Sequence, residues 1–162
     1  MTKRLWLLAF IGGIFAISPA QTPSAQSKEW RTYVNPRFGT RAEYPAHIFT
    51  VAKRAPDNND GQAFTTPDGS AELVIYGSFN VAEDTPRSYV DSYIRSEGPL
   101  DYERVTDGFF VVSSGRGHAI RYTRCNFLRG NPGTIRCFMI AYPGAEKERW
   151  DAIVTRIGNS LR

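Results

Sequence analysis

The sequence predicts an α+β fold, a mostly antiparallel β-sheet with helices packed on its faces. Short strand-like runs recur along the chain, and the turns between them are too closely spaced for crossover connections, so neighbouring strands run antiparallel. Helical signals occur only twice, near residues 85–98 and 145–161. One run, CFMIAY within Thr134 to Tyr142, is apolar at odd and even positions alike, which marks a central strand covered on both faces.

Taken in order, Trp30 to Val34 reads as a strand, broken by Asn35-Pro36 before Phe38-Gly39 turns the chain. Thr40 to Tyr44 follows, and Pro45 ends it because proline has no N–H for the ladder. After the polar loop APDNNDG, Gln62 to Thr66 and Ala71 to Tyr76 form a hairpin about Thr66-Pro67-Asp68-Gly69, where proline presets the second turn position and glycine takes the last. Thr85 as N-cap and Pro86 at the first helical position open a helix that Gly98 ends. Its Tyr89, Val90, Tyr93 and Ile94 share one core-facing stripe. Three strands come next, Leu100 to Val105, Phe109 to Ser113 and Gly117 to Phe127, parted by Thr106-Asp107-Gly108 and Ser114-Gly115. After the central strand, Trp150, Ile153, Val154, Ile157 and Leu161 recur at helical spacing from about Ala145 to Leu161, a stripe that packs on the sheet.

The chain has two cysteines, Cys125 and Cys137, in CNFLRGNPGTIRC. A hairpin centred on Asn131 pairs residues whose numbers sum to 262, which sets the two directly opposite. Directly opposed residues have Cβ atoms about 4.5–5.5 Å apart, a gap that a disulfide bridges with modest adjustment. Closing a loop of this length stabilises a fold by about 3 kcal/mol on the chain-entropy account. The rival chemistries fit less well. Structural zinc takes four ligands, and the two histidines, His47 and His118, stand at no motif spacing from the cysteines. Redox enzymes use C-x-x-C, which is missing. The remaining reading is a pair of buried free thiols.

Lys3 and Arg4 precede thirteen residues, Leu5 to Ile17, that carry no charge, the layout of a secretory signal peptide. A spanning helix needs about 20 apolar residues, so cleavage is favoured over an uncleaved N-terminal anchor. Small residues suit cleavage after Ala20, or after Ala25, leaving a flexible segment before a single α+β domain over residues 28–162. Removing residues 1–25 takes Lys3 and Arg4 and lowers the formal charge from +4 to +2, with 18 basic residues against 16 acids. No cysteine follows the apolar run, which disfavours a lipid anchor. The expected location is the periplasm or the medium, where thiols oxidise, with no stable membrane span once the signal is removed.

Charge is unevenly spread. Gly108 to Ala145 holds five arginines and no acid, whereas Glu83 to Asp107 holds seven acids against Arg87, Arg95 and Arg104. The two stretches either neutralise each other across strands or leave an anion-binding face at Arg116, Arg121, Arg124 and Arg136. Strand parity puts Arg121 on the face opposite Arg116 and Arg124.

Catalytic signals are sparse. His47 and His118 lack a nucleophile motif, and Ser113-Ser114 forms no elbow. DNNDG fails the calcium-loop spacing at Gly61. RGHAIRYT, from Arg116, puts His118, Ile120 and Thr123 where an RNA-binding strand needs aromatics, so no nucleic-acid partner is expected. Phosphate-cradling glycine loops and dinucleotide fingerprints are missing, and no metal or cofactor is expected.

FGTRAEYP (Phe38 to Pro45) and DGQAFTTPDGSAELVIYG (Asp60 to Gly77) resemble small exported bacterial proteins of the PsbP-like superfamily, which also includes an extrinsic photosystem II subunit and a Ran nucleotide-release factor. The resemblance covers roughly Trp30 to Arg162 in element order. It implies an α/β/α sandwich and a protein-binding accessory role rather than an enzyme; no functional residue of those proteins matches a position here. The expected function is an exported, non-enzymatic binding or accessory module of the cell envelope, its partner an envelope protein or an anionic envelope polymer. Two alternatives stand beside it: an envelope hydrolase using His118 or His47, and a small-ligand carrier with a pocket between sheet and terminal helix.

Overall fold

A computed structural model describes residues 29–116, 118–130 and 133–162, with the backbone alone for Arg116. The expected signal peptide and flexible N-terminal segment lie outside the described residues. The described residues form nine strands: β1 (Trp30–Val34), β2 (Arg41–Pro45), β3 (Val51–Ala52), β4 (Gly61–Thr65), β5 (Glu72–Asn80), β6 (Tyr102–Val105), β7 (Phe109–Arg116), β8 (Ala119–Leu128) and β9 (Gly133–Pro143). β1 and β2 form their own two-stranded sheet; the others form one antiparallel sheet in the order β3-β4-β5-β9-β8-β7-β6. β9 is the fourth of seven, the central position its composition predicts.

The two parities of β9 feed two cores. Phe138, Ile140 and Tyr142 join Leu73, Ile75 and Phe64 beneath α2 (Lys147–Ser160), whose Trp150, Val154 and Ile157, followed by Leu161, supply the apolar stripe. Ile135 and Cys137 point the other way, to Phe110, Val112, Cys125 and Val90 of the first helix. Each large side chain buried fully in this way contributes about 1.5–3 kcal/mol of transfer free energy. Helix, sheet and helix thus form the expected sandwich, with the β1–β2 hairpin sharing the α2 side.

Several expectations need adjustment. The first helix starts as expected, with Thr85 capping the Ser88 N–H and Pro86 at the first position, but only α1 (Pro86–Tyr89) is α-helical. It widens to a π-turn over Val90–Ile94, then tightens to a 3₁₀ turn over Arg95–Glu97 before Gly98. The wider turn shifts the helical phase, so Val90 is fully buried while Tyr93 rotates outward, 48% exposed, instead of joining the core. β5 runs four residues beyond Tyr76 because β9 is long enough to pair with it as far as Asn80↔Gly133. β6 begins at Tyr102, not Leu100, and the short edge strand β3 was not foreseen.

Candidate functional site

The β8–β9 ladder follows the predicted register throughout, from Ala119↔Pro143 to Leu128↔Thr134. Cys125 and Cys137 therefore face each other at disulfide distance, Cα atoms 4.1 Å apart, both fully buried on the α1 side of the sheet. No described cysteine is free.

Register also decides what becomes of the four predicted arginines. Arg121 lies opposite Ala141 on the α1 side, and its guanidinium is 3.7 Å from the Glu97 carboxylate. Arg136 lies on the α2 side, where its Nε donates to the Phe38 carbonyl at 3.1 Å and its Nη2 sits against Gly39; it holds the β1–β2 turn to the sheet. Arg116 ends β7 opposite Ala119, with its side chain outside the described residues. Arg124, half-buried on the α2 side, is the one of the described three that meets neither a carboxylate nor a backbone carbonyl among the described residues. The predicted patch is thus divided between the two faces, but not as parity along one strand predicts: Arg116 belongs to β7, and its register opposite Ala119 places it on the face of Arg121 rather than with Arg124.

Around Arg124 a different cluster assembles. Arg104 on β6 and Arg124 on β8 both oppose Val111 of β7, so the three form one cross-strand row. Phe109, two residues along β7, carries both cations, with the Arg104 guanidinium carbon 5.4 Å and that of Arg124 4.7 Å from its ring centroid. Arg124 Nε donates to Asn126 Oδ1 at 3.2 Å, and its side chain lies beside Gly158 of α2. Among the described residues, no carboxylate is within ion-pair distance of Arg104 or Arg124. Burial, joined by the like charges of Arg104 and Arg162 and opposed by Tyr122, draws the Arg124 guanidinium below its ordinary pKa. Two cations held on one ring, with no acid paired to either among the described residues, are arranged to accept an anion.

Arg104 was not among the predicted residues, because the expected turn at Ser114-Gly115 misplaces the β7–β8 hairpin. The observed ladders, with β7 continuing to Arg116 and β8 starting at Ala119, have pair sums of 215 and 235, which bring residues 104 and 124 to the same β7 partner, Val111.

A cleft of ≈ 950 Å³ opens on the α2 flank beside the β1–β2 hairpin. Trp30, Pro45, Ile48, Trp150 and Ile153 give it an apolar lining. Its arginines are already engaged: Arg149 pairs with Glu146 at 2.9 Å, and Arg156 pairs with Glu43 at 2.9 Å while stacking 4.1 Å above the Trp30 ring. Asp68 and Ser70 lie at the rim, where hydrogen bonds from Thr66 and Ser70 bring the Asp68 carboxyl down to about 2. His47 reaches the same cleft, but its Nδ1 meets the Glu29 carbonyl at 3.3 Å rather than a hydroxyl or thiol. His118 lines a separate depression with Gly115, Ile120 and Pro143. Among the described residues there is no group of three or more His, Cys, Asp or Glu able to hold a metal, and no helix long and apolar enough to cross a membrane.

No protein-family model matches the chain, and no curated protein matches it. Among solved structures it is similar to the solution structure of cyanobacterial PsbP (CyanoP) from Synechocystis sp. PCC 6803, with a TM-score of 0.56 over 89% of this chain and 98% of that one, at 12% sequence identity. The fold is PsbP-like. At that identity the likeness is one of architecture, and function has to be argued from the site.

Proposed function

We propose that this chain is an exported, non-enzymatic binding module of the cell envelope that engages an anionic partner through the Arg104–Phe109–Arg124 face. The observation that carries the reading is the pair of arginines on one ring with no carboxylate in reach among the described residues. Arg124, half-buried, gains most from an incoming carboxylate or phosphate, since part of its desolvation is already complete, and exposed Arg104 adds a second cation beside it. Export is supported by the charged and apolar N-terminal sequence and by the buried cysteine pair at disulfide distance. The partner is an envelope protein or an anionic envelope polymer.

The test is salt-dependent capture from envelope extract by the wild type, an Arg104→Glu/Arg124→Glu variant and an Arg121→Glu control. Capture lost only in the double variant is the expected result; equal recovery by all three removes this face from the function. Turnover of peptidoglycan, ester or phosphoester substrates that disappears in His47→Ala or His118→Ala would overturn the non-enzymatic reading.

The ≈ 950 Å³ apolar cleft favours a second reading, a small-ligand carrier, since it lies where such a carrier needs its pocket, beside the terminal helix. Ile153→Trp would fill it. Thermal stabilisation by a hydrophobic compound that this variant abolishes is the result that reading requires.

A further inference from the structure

β6 ends the seven-stranded sheet and, among the described residues, is bonded on one side only, to β7. The hairpin closes with the Thr106 N–H donating to the Phe109 carbonyl at 2.9 Å. Hydrogen-bonded pairs alternate along an antiparallel ladder, so Arg104/Val111 and Tyr102/Ser113 bond inward, and Glu103 and Val105 direct their N–H and C=O groups to the open edge. Tyr102 and Arg104 share the face that carries Phe109 and Arg124, and Tyr102 is 50% exposed. Glu103, on the other face, is already bonded to Arg87 and Arg95.

Open edges invite another strand. A second copy of this chain is a poor occupant. Two-fold antiparallel pairing keeps each residue on its own face, so registers centred on residue 103 or 104 oppose Glu103 to Glu103 or Arg104 to Arg104, and like charges directly opposite are destabilising. An acidic chain meets the reverse situation. A carboxylate opposite Arg104 pairs with it directly, the charge of Arg124 adds to the attraction from behind, and Glu103 offers no uncompensated repulsion because two arginines neutralise it.

Resting on the binding face proposed above, we infer that the partner is an acidic polypeptide segment that adds to β6 as an eighth strand, with a Glu or Asp opposite Arg104. Main-chain bonds to Glu103 and Val105 supply the attachment, and the arginines select the acidic side chain.

The probe is an eight-residue peptide alternating threonine and glutamate, added to the intact protein. With glutamate opposite Arg104, the threonine N–H groups face β6 and the glutamate N–H groups face away. N-methylation of the threonines should therefore weaken binding about tenfold or more, through loss of two or more hydrogen bonds, whereas N-methylation of the glutamates leaves affinity within about twofold, as no bond to β6 is lost. Exchange of the Glu103 and Val105 amide hydrogens should slow on binding, and Arg104→Glu should weaken the unmodified peptide about tenfold.

Equal binding of both methylated peptides, or displacement by polyphosphate with no protection at Glu103 and Val105, overturns the added strand and leaves a site for charge alone. A concentration-dependent dimer that protects the same two amides overturns it in favour of a second copy. Neither result touches the broader reading, which fails separately if the Arg104→Glu/Arg124→Glu variant still captures its envelope partner.

Discussion

Arg136 and Arg124 lie on the same face of adjacent strands, yet their surroundings give them opposite tasks. Arg136 spends its Nε on the Phe38 carbonyl and lies under Gly39, so its charge is committed to holding a turn. Arg136→Ala should lower stability by about 1.5–3 kcal/mol, the range for a hydrogen bond to a charged group, as read by urea unfolding, without changing anion binding. Arg124 bonds to Asn126 and stacks on the Phe109 ring, with no carboxylate partner among the described residues, and its loss should mainly affect binding. Composition identified both as arginines in an acid-free stretch. Which one is free depended on whether a carbonyl from residue 38 arrives beside it, a contact spanning 98 positions that no local pattern encodes.

Elements are where local sequence spoke most clearly and where close approaches corrected it. The β4–β5 turn, the capped start of α1 and the apolar stripe of α2 follow from turn chemistry, capping and period, all of which act within a few residues. The β1–β2 turn then lands on β5 at Gly77. A Cβ there would stand 2.5 Å from both Phe38 Cβ and Thr40 Oγ1. Gly77→Ala should therefore cost about 1–3 kcal/mol by overpacking, seen as a fall in the urea midpoint at unchanged slope. The β8–β9 hairpin carries the cysteine pair across twelve positions. Reduction should destabilise the fold by about 3 kcal/mol, measured as the difference between unfolding curves with and without dithiothreitol. Coincident curves would mean that the thiols are not joined.

Across the whole molecule, the aromatic cores determine how stability responds to base. Burial is the leading cause that raises the phenol pKa of Tyr76, Tyr89, Tyr122 and Tyr142, with neighbouring charges adding to the shift at Tyr76. In the unfolded chain a tyrosine ionises near pH 10. Above that pH the unfolded state therefore releases protons that the folded state retains, and stability falls as pH rises. Alkaline unfolding should coincide with Tyr76 ionisation at 295 nm, and Tyr76→Phe should flatten the loss. Ionisation of all eight tyrosines near pH 10 while the protein stays folded would contradict this.

The amino-acid sequence by itself determined the α+β class, the central place of β9, the antiparallel hairpins and the pairing of Cys125 with Cys137. Period, turn residues and a hairpin's centre are properties of contiguous chain. Tertiary structure alone decided that β1 and β2 stand apart from the main sheet, which partners the predicted arginines on each face take, and that a cleft opens beside α2. It also decided that Arg104 meets Arg124 over one ring. These arrangements depend on strand order and on contacts between residues far apart in sequence, where the free energy of packing selects one among many arrangements that share the same local pattern.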